Sequence, residues 1–206
     1  MMLTKQVDSN HYNFTDYVSR ERWCSYFEQI KIILGLSWVQ TCLEVWSGDS
    51  VVASILKKYL HYESLDIDQE LNPDHLWTIL DNDISQTYDC VCAFQVLEHL
   101  PFLSFEENIK KLKELSNKYV LLSLPYTWVS FRWELRPFFN TPLCFKIPIF
   151  CRKKYVFDGE HYRDLWYKKT RIKDVKKILS QHFFIRDSYI LPNNMYHYFL
   201  ILEKKC

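Results

Sequence analysis

The sequence predicts an α/β fold with a mostly parallel, doubly wound sheet that ends in an antiparallel hairpin and carries helices on both faces. Segments of helical periodicity alternate with strand-like segments along most of the chain. The segments 88–94 and 119–124 are continuous apolar runs, typical of strands covered on both faces. Near the C-terminus, 183–191 and 196–202 are joined by a short Pro-Asn-Asn connection, which predicts an antiparallel pair.

The first half of the chain contains a helical arm, a strand, a helix and two short strands, in that order: 14–36, 38–46, 51–60, 62–67 and 76–80. The strand at 38–46 is β-branched and aromatic and stops at a Gly-Asp-Ser turn. Asp49 or Ser50 is available there as the N-cap of the following helix.

The second half continues the alternation. Ser104 and Glu107 form a capping box that opens a helix after the strand at 88–94. The strand at 119–124 is stopped by Pro125. Thr170 can cap the last helix, whose apolar positions recur at helical spacing: Ile172, Val175, Ile178 and Leu179.

The composition indicates one globular domain over residues 1–206, with 48% hydrophobic and 25% charged residues. The formal net charge is +1, from 26 basic and 25 acidic residues. A protein that neutralises nucleic acid usually carries a basic excess, so we expect no nucleic-acid partner. The basic run 168–177 is expected to be a solvated helix face.

Cysteine usage and the N-terminus predict a reducing, cytoplasmic environment. The seven cysteines are an odd number, no C-x-x-C pair occurs, and the N-terminal residues lack an apolar signal region. Cys90 and Cys92 are expected to be packed thiols, and no metal site is expected. The longest apolar stretch, 138–150, is too interrupted to span a bilayer, so no transmembrane segment is expected.

The loop 44–50 is the first candidate binding site, because ligands of open α/β sheets lie beyond the carboxyl ends of the strands. Asp66 ends the next strand, 22 residues after Glu44. An acidic residue at this place can accept hydrogen bonds from both hydroxyls of a ribose. An ordinary strand-end carboxylate is the alternative, and the spacing alone favours neither.

An ordered set of motifs resembles the class I S-adenosylmethionine-dependent methyltransferases, and is closest to small bacterial-type members with a V-L-E-H-L-P block. The resemblance covers about residues 38–202 and rests on these segments: Leu43-Glu44 with Gly48, Leu65-Asp66-Ile67-Asp68, Leu71-Asn72-Pro73-Asp74, Tyr88-Asp89, Phe94-Gln95-Val96-Leu97-Glu98-His99-Leu100-Pro101, Ser123-Leu124-Pro125 and Asp158-Gly159-Glu160-His161-Tyr162.

The resemblance implies a Rossmann-like fold with a seven-stranded sheet, S-adenosylmethionine as cofactor and methyl transfer as the activity. It implies a subdivision into a helical arm, a cofactor-binding half, an aromatic insertion or lid, and a C-terminal helix and hairpin: 1–37, 38–125, 126–169 and 170–206.

The resemblance also implies roles for single residues. Residues 44–50 would line the methionine end of the cofactor, and Asp66 would hold the ribose. The Thr78-Ile79 stretch would flank the adenine, and Phe94 and Gln95 would lie under the transferred methyl group. The cofactor-binding candidates are Glu44, Trp46, Gly48, Asp66, Ile67, Thr78, Ile79, Phe94 and Gln95.

The chain departs from the family pattern at the glycine loop. The pattern is E-x-G-x-G-x-G, and here only Gly48 remains, with Trp46 and Ser50 at the other two glycine positions. Thr78 stands where many members have aspartate, and Arg163-Asp164 stand where the group has Trp-Glu. The departures leave a second hypothesis open, a catalytically silent binding or scaffold protein with the same fold.

His99 and His161 are the candidate general bases, because histidine titrates near neutrality. A structural role in the turn before Pro101 is the alternative for His99, and a polar position in the lid is the alternative for His161. The acceptor is expected to be a small molecule or a glycan or lipid precursor.

The stretch 126–167 holds thirteen aromatic residues. It is either a pocket or interfacial surface for an apolar or sugar-lipid acceptor, a small core of its own, or a homodimer contact.

Overall fold

The computed structural model describes residues 14–126, 130–135, 143–148 and 171–205. The helices in these ranges are α1 Phe14–Tyr17, α2 Arg20–Gly35, α3 Val51–Leu56, α4 Phe105–Leu115 and α5 Ile172–His182. The strands are β1 Thr41–Val45, β2 His61–Asp66, β3 His75–Leu76, β4 Tyr88–Phe94, β5 Ser116–Pro125, β6 Ser130–Leu135, β7 Leu143–Pro148, β8 Phe183–Leu191 and β9 Asn194–Lys204.

Seven of these strands form one sheet in the order β3-β2-β1-β4-β5-β9-β8. The first five are parallel, and β9 lies antiparallel between β5 and β8. The predicted fold class is therefore confirmed, including the terminal hairpin, which turns at Pro192-Asn193. Strands β6 and β7 pair antiparallel in a separate ribbon within the aromatic segment.

Both faces of the sheet are covered, which explains the continuous apolar runs in β4 and β5. On one face α4 and α5 pack against a cluster that we call the α4/α5 core, with Ile109, Leu112, Val175 and Leu179 among its buried members. On the other face α2 and α3 pack against the α2/α3 core, which includes Ile33, Val52, Leu56, Cys42 and Phe199.

Helix α2 is also hydrogen-bonded to the C-terminal hairpin. The hydroxyl of Tyr189 in β8 donates to Glu28 at 2.7 Å, and the Asn194 amide donates to the Ser25 hydroxyl at 2.9 Å. These two contacts join residues 161 and 169 positions apart in the chain. The arm is thus an integral part of the α2/α3 layer.

Several element boundaries differ from the predictions. The arm divides into α1 and α2 at Ser19, whose hydroxyl caps α2 by accepting from the Arg22 N–H at 3.1 Å. Strand β1 begins only at Thr41, because Trp38 is 86% exposed and has a φ of +68°, which no strand residue adopts. Helix α3 is shorter than predicted, and β3 has only two residues.

The predicted cap contacts are also partly wrong. The Ser104 hydroxyl donates to the Pro101 carbonyl at 2.8 Å, because Ser104 closes a preceding 3₁₀ turn, and it does not cap α4. Ser50 makes no side-chain cap for α3; Asp49 accepts from the Val51 N–H at 3.3 Å. The proposed cap at Thr170 lies outside the described residues.

None of the helices in the described ranges is long and apolar enough to cross a membrane.

Candidate functional site

The loop after β1 keeps the backbone shape of a glycine loop although two of its glycines are replaced. Trp46, Gly48 and Ser50 all have positive φ, at +58°, +54° and +57°. These are the three positions at which the resembled pattern has glycine. A non-glycine residue in this region costs about 1–2 kcal/mol. The loop therefore stores backbone strain at Trp46 and Ser50, which the sequence alone did not reveal.

Trp46 follows β1 directly, and its backbone and side chain make different contacts. Its backbone N–H donates to the Leu65 carbonyl of β2 at 2.7 Å, whereas its half-buried indole packs on the α4/α5 core. The ring centroids of Trp46 and His99 are 5.8 Å apart at an interplanar angle of 42°. Since His99 follows β4, the indole reaches from the end of β1 to the segment after β4, and it covers one side of the candidate base.

Glu44, the last acidic residue of β1, is buried and accepts a hydrogen bond from the Tyr62 hydroxyl. Burial raises the pKa of its carboxyl to about 8; the Tyr62 hydrogen bond opposes the rise, and the charges of Asp49 and Asp66 add to it. The Glu44 carboxyl therefore lies buried at the carboxyl end of β1, within the electrostatic influence of Asp49 and Asp66.

Asp66 ends β2 and is 4% exposed. One of its oxygens accepts from the Asp68 N–H at 3.0 Å, and the Ile67 N–H supports the same carboxylate. Burial raises its pKa, against these two backbone hydrogen bonds. Asp68 in turn caps the short 3₁₀ helix Gln69–Leu71 by accepting from the Glu70 N–H at 3.0 Å. The turn thus fixes the direction of the Asp66 carboxylate.

The predicted adenine stretch lies next to Asp66, because the Trp77 N–H donates to the Asp66 carbonyl at 3.0 Å. The Thr78 hydroxyl accepts from the Asp81 N–H at 2.9 Å, so it closes a turn. Ile79 is buried in the α4/α5 core, and Ile67 is half-buried. The structure thus places this stretch beside Asp66 and leaves the assigned roles as predictions.

The end of β4 carries Phe94 and Gln95, as the motif placement predicted. The Phe94 ring lies 6.0 Å from that of Phe199. Gln95 has a φ of +57°, and its amide contacts the Ser123 hydroxyl at 3.0 Å. The Gln95 amide takes the orientation in which both its oxygen and its nitrogen have hydrogen-bond partners. The nitrogen then donates to the carboxylate of the buried Glu98 at 3.2 Å. The Gln95 side chain therefore braces the turn after β4.

Helices α1 and α2 contribute polar groups to the same edge of the sheet, which the sequence reasoning missed. The Tyr26 hydroxyl donates to Asp49, so α2 is bonded directly to the glycine-loop segment. Arg22 donates to the Tyr17 hydroxyl at 2.8 Å and lies 3.8 Å from the centre of its ring. Burial raises the pKa of Tyr17, Arg22 lowers it, and the negative charges of Asp49 and Glu98 raise it further.

A signal for this arrangement exists in the sequence, because Arg22 and Tyr26 are four residues apart and so share one face of a helix. Nothing in the sequence indicates which surface that face covers.

His197 is a second group that the sequence reasoning missed. It lies on β9 opposite Pro125, at the carboxyl end of β5, and is 4% exposed. Its ring is 5.8 Å from that of Tyr196 and 6.3 Å from that of Phe199. Its Nδ1 has no hydrogen-bond partner among the described residues. Burial lowers its pKa to about 3, and the positive charge of Arg22 adds to this.

We expect His197 to make the protein sensitive to acid. Because its folded pKa lies below the unfolded value of about 6.5, the folded state binds fewer protons, and stability falls as the pH drops from about 6.5 toward 3. At pH 4 the free energy of unfolding should be lower by about 3 kcal/mol than at neutral pH. Denaturant unfolding of His197→Gln should show a weaker loss between pH 6.5 and 4 than the parent. Exposed His61→Gln is the control, and parallel pH profiles for parent and His197→Gln would contradict the assignment.

His161, Arg163 and Asp164 lie outside the described residues, as does most of the predicted lid. The structure places Glu44 and Asp66 near the carboxyl ends of the paired strands β1 and β2, with Asp49 in the loop after β1, and it brings Trp46 into contact with His99.

The fold is that of known methyltransferases. Superposition matches an S-adenosylmethionine-dependent methyltransferase from Clostridium acetobutylicum with a TM-score of 0.60 and 10% identity, covering 95% of this chain and 96% of that one. N-methyltransferase NodS from Bradyrhizobium japonicum, in complex with S-adenosylhomocysteine, gives 0.63 and 9%, with 98% and 95% coverage.

A third match is the 1,6-didemethyltoxoflavin-N1-methyltransferase of Burkholderia thailandensis, with its acceptor and S-adenosylhomocysteine bound. Its TM-score is 0.61 at 11% identity, covering 91% of this chain and 82% of that one. No protein-family model and no curated protein sequence matches the chain. At these identities the comparisons establish the fold.

Proposed function

We propose that the protein is a methyltransferase that uses S-adenosylmethionine and acts on a small molecule or a glycan or lipid precursor. The observation that carries the proposal is the Asp66 carboxylate at the end of β2, which the Asp68 and Ile67 N–H groups hold beside the left-handed loop that contains Asp49. The cofactor has a ribose diol and two positive centres, a sulfonium and an ammonium. Carboxylates attract these centres, whereas they would repel the phosphates of a dinucleotide.

The residues present fit this cofactor in outline. Asp66 is braced by backbone hydrogen bonds and would accept from the ribose hydroxyls. Glu44 and the left-handed loop backbone would bind the methionine end. Ile67, Thr78 and Ile79 would lie beside the adenine. Phe94 and Gln95, at the end of β4, would lie under the methyl group.

When bound, the cofactor supplies a methyl group that its sulfonium has already activated. The protein then has to align the acceptor and keep water out. The indole of Trp46 and the ring of Phe94 would provide apolar walls for this purpose. His99, or His161 on the insertion, would take the proton that the acceptor nitrogen or oxygen loses on methylation.

The proposal includes a cytoplasmic location and a role for the aromatic insertion. The described cysteines are free thiols, which supports a cytoplasmic location: Cys24, Cys42, Cys90 and Cys92. The aromatic insertion would contact the acceptor or a second copy of the chain.

One observation favours the second function, a silent binding or scaffold protein. Trp46 stands at a glycine position, and its indole lies between the ends of β1 and β4, next to where the methionine end of the cofactor would bind. If the indole keeps this position, it occupies the space that the family pattern leaves open by using glycine.

Calorimetric titration with S-adenosylmethionine and S-adenosylhomocysteine tests the proposal. The protein should first be unfolded and refolded, so that carried-over ligand is removed. We expect micromolar dissociation constants for both compounds and at least 100-fold weaker binding of ATP, whose phosphates would face the carboxylates. A folded protein that binds neither methionine nucleoside would overturn the proposal in favour of the scaffold function.

A further inference from the structure

Three cysteine side chains meet in the α2/α3 core. Cys42 comes from β1, and Cys90 and Cys92 come from β4; all three are fully buried. Cys42 lies opposite Cys90 in the parallel register, and Cys92 is two residues further along the same face of β4. Two adjacent strands therefore direct three thiols to one place.

The sulfur atoms are spaced as a three-coordinate metal site requires. The Sγ atoms of Cys42 and Cys92 are 3.4 Å apart, those of Cys90 and Cys92 are 3.9 Å apart, and all three lie within 4.8 Å of one another. Metal–thiolate bonds are about 2.3 Å long, so an ion in the plane of three sulfurs needs them about 4.0 Å apart. The Cys90–Cys92 distance matches this value, and the Cys42–Cys92 distance is about 0.6 Å shorter, so these two side chains would have to move apart by that amount.

We propose that Cys42, Cys90 and Cys92 bind one soft, three-coordinate ion of the Cu(I) type. Thiolate ligands select soft ions. Zinc takes four ligands in structural sites, and within the described residues no histidine, cysteine, aspartate or glutamate joins this group as a fourth. Cys90 and Cys92 are packed thiols, as the sequence predicted; the proposal gives them a metal-binding role that the sequence analysis did not expect.

Binding exchanges thiol protons for the ion. Metal-bound sulfur is thiolate, so binding of one Cu(I) breaks three S–H bonds, forms three copper–sulfur bonds and releases three H⁺, which leaves the cluster with a charge of −2. No electron is transferred in this step. The copper–sulfur bonds have to offset the cost of this buried charge, and because protons are released, the affinity for Cu(I) should rise with pH.

The site is distinct from the one proposed for methyl transfer, although Cys42 lies two residues before Glu44 on the same face of β1 and raises the pKa of the Glu44 carboxyl. It lies within the sheet, whereas the carboxylates lie at its edge. Because the thiols are covered by α2 and α3, an ion enters only when this layer opens locally. We therefore expect slow uptake and slow release.

The test uses a parent variant in which Cys24, Cys144, Cys151 and Cys206 are replaced by serine, so that only the three clustered cysteines remain. Under anaerobic conditions it is titrated with Cu(I) against bathocuproine disulfonate, a coloured competing chelator. We expect one Cu(I) per chain, a copper absorption spectrum that fits three sulfur neighbours at about 2.3 Å, and a melting temperature that rises with Cu(I) concentration.

Three single variants of the parent provide the matched controls: Cys42→Ala, Cys90→Ala and Cys92→Ala. Each should weaken Cu(I) binding at least 100-fold. If an alanine variant does not fold, the number of Cu(I) ions bound per chain and the number of sulfur neighbours of the copper in the parent still test the proposed site. No copper uptake by the folded parent, four-coordinate zinc bound more tightly than copper, or a Cys42–Cys92 disulfide in place of the complex would each overturn the proposal.

Discussion

Trp46→Gly is expected to increase the affinity for S-adenosylhomocysteine at least tenfold. The substitution removes the indole from the space between the ends of β1 and β4 and restores glycine to a residue with a φ of +58°. A tenfold change corresponds to about 1.4 kcal/mol of binding free energy; it comes from the space that the indole leaves, since the backbone strain is relieved equally in the free and the bound protein. Calorimetry on parent and variant measures the change.

Trp38→Gly is the matched control for this experiment. Trp38 also has a positive φ, +68°, but it is exposed and stands before β1. Its replacement should raise the free energy of unfolding by about 1 kcal/mol and leave ligand affinity unchanged. Equal affinities for parent and Trp46→Gly would mean that the indole does not obstruct the site.

Asp66→Ala is expected to weaken binding of S-adenosylhomocysteine at least 100-fold. The variant removes the carboxylate that, under the proposed function, accepts two charge-assisted hydrogen bonds from the ribose, each of about 1.5–3 kcal/mol. It also removes the acceptor of the Asp68 N–H, so the fold should lose about 1 kcal/mol of stability and remain cooperative. Calorimetry gives the affinity and denaturant unfolding gives the stability.

Two further variants make the Asp66 result specific. Asp66→Asn keeps an acceptor for the Asp68 N–H but has only one carbonyl oxygen, so its affinity should lie between those of the parent and Asp66→Ala. Asp83→Ala removes an exposed carboxylate of the segment after the adenine stretch and should bind like the parent. Parent-like binding by Asp66→Ala would refute the ribose role.

The sequence was sufficient for the fold because periodicity and apolar runs report burial. The run at 88–94 matches β4 residue for residue, since both faces of that strand are covered. Prediction from sequence failed at the boundaries of helices and strands, because single contacts decide where an element begins. Trp38 is aromatic but exposed, and the Ser104 hydroxyl bonds within the turn before α4. Local helix and strand propensities carry no information about such contacts.

The positions of the candidate site residues were predictable only where a sequence motif marks the end of a strand. Glu44, Asp66 and Phe94 lie at the carboxyl ends of β1, β2 and β4, as their spacing indicated. His197 and the Tyr26–Asp49 hydrogen bond were not predictable, because they join parts of the chain far apart in sequence. The left-handed backbone conformation of Trp46 could not be predicted either, since the sequence pattern showed only that a glycine is replaced there.

The hydrogen bonds from α2 to the C-terminal hairpin have a consequence for biosynthesis. Helix α2 is synthesised 161 and 169 residues before its respective partners Tyr189 and Asn194. A nascent chain can pair β1 with β2 and β4 well before this. The arm, and with it the Tyr26 contact to Asp49, gains its full support only after synthesis of the hairpin. Translation that stops before β8 would therefore release a sheet that lacks β8 and β9 and an arm without its hydrogen bonds to the hairpin.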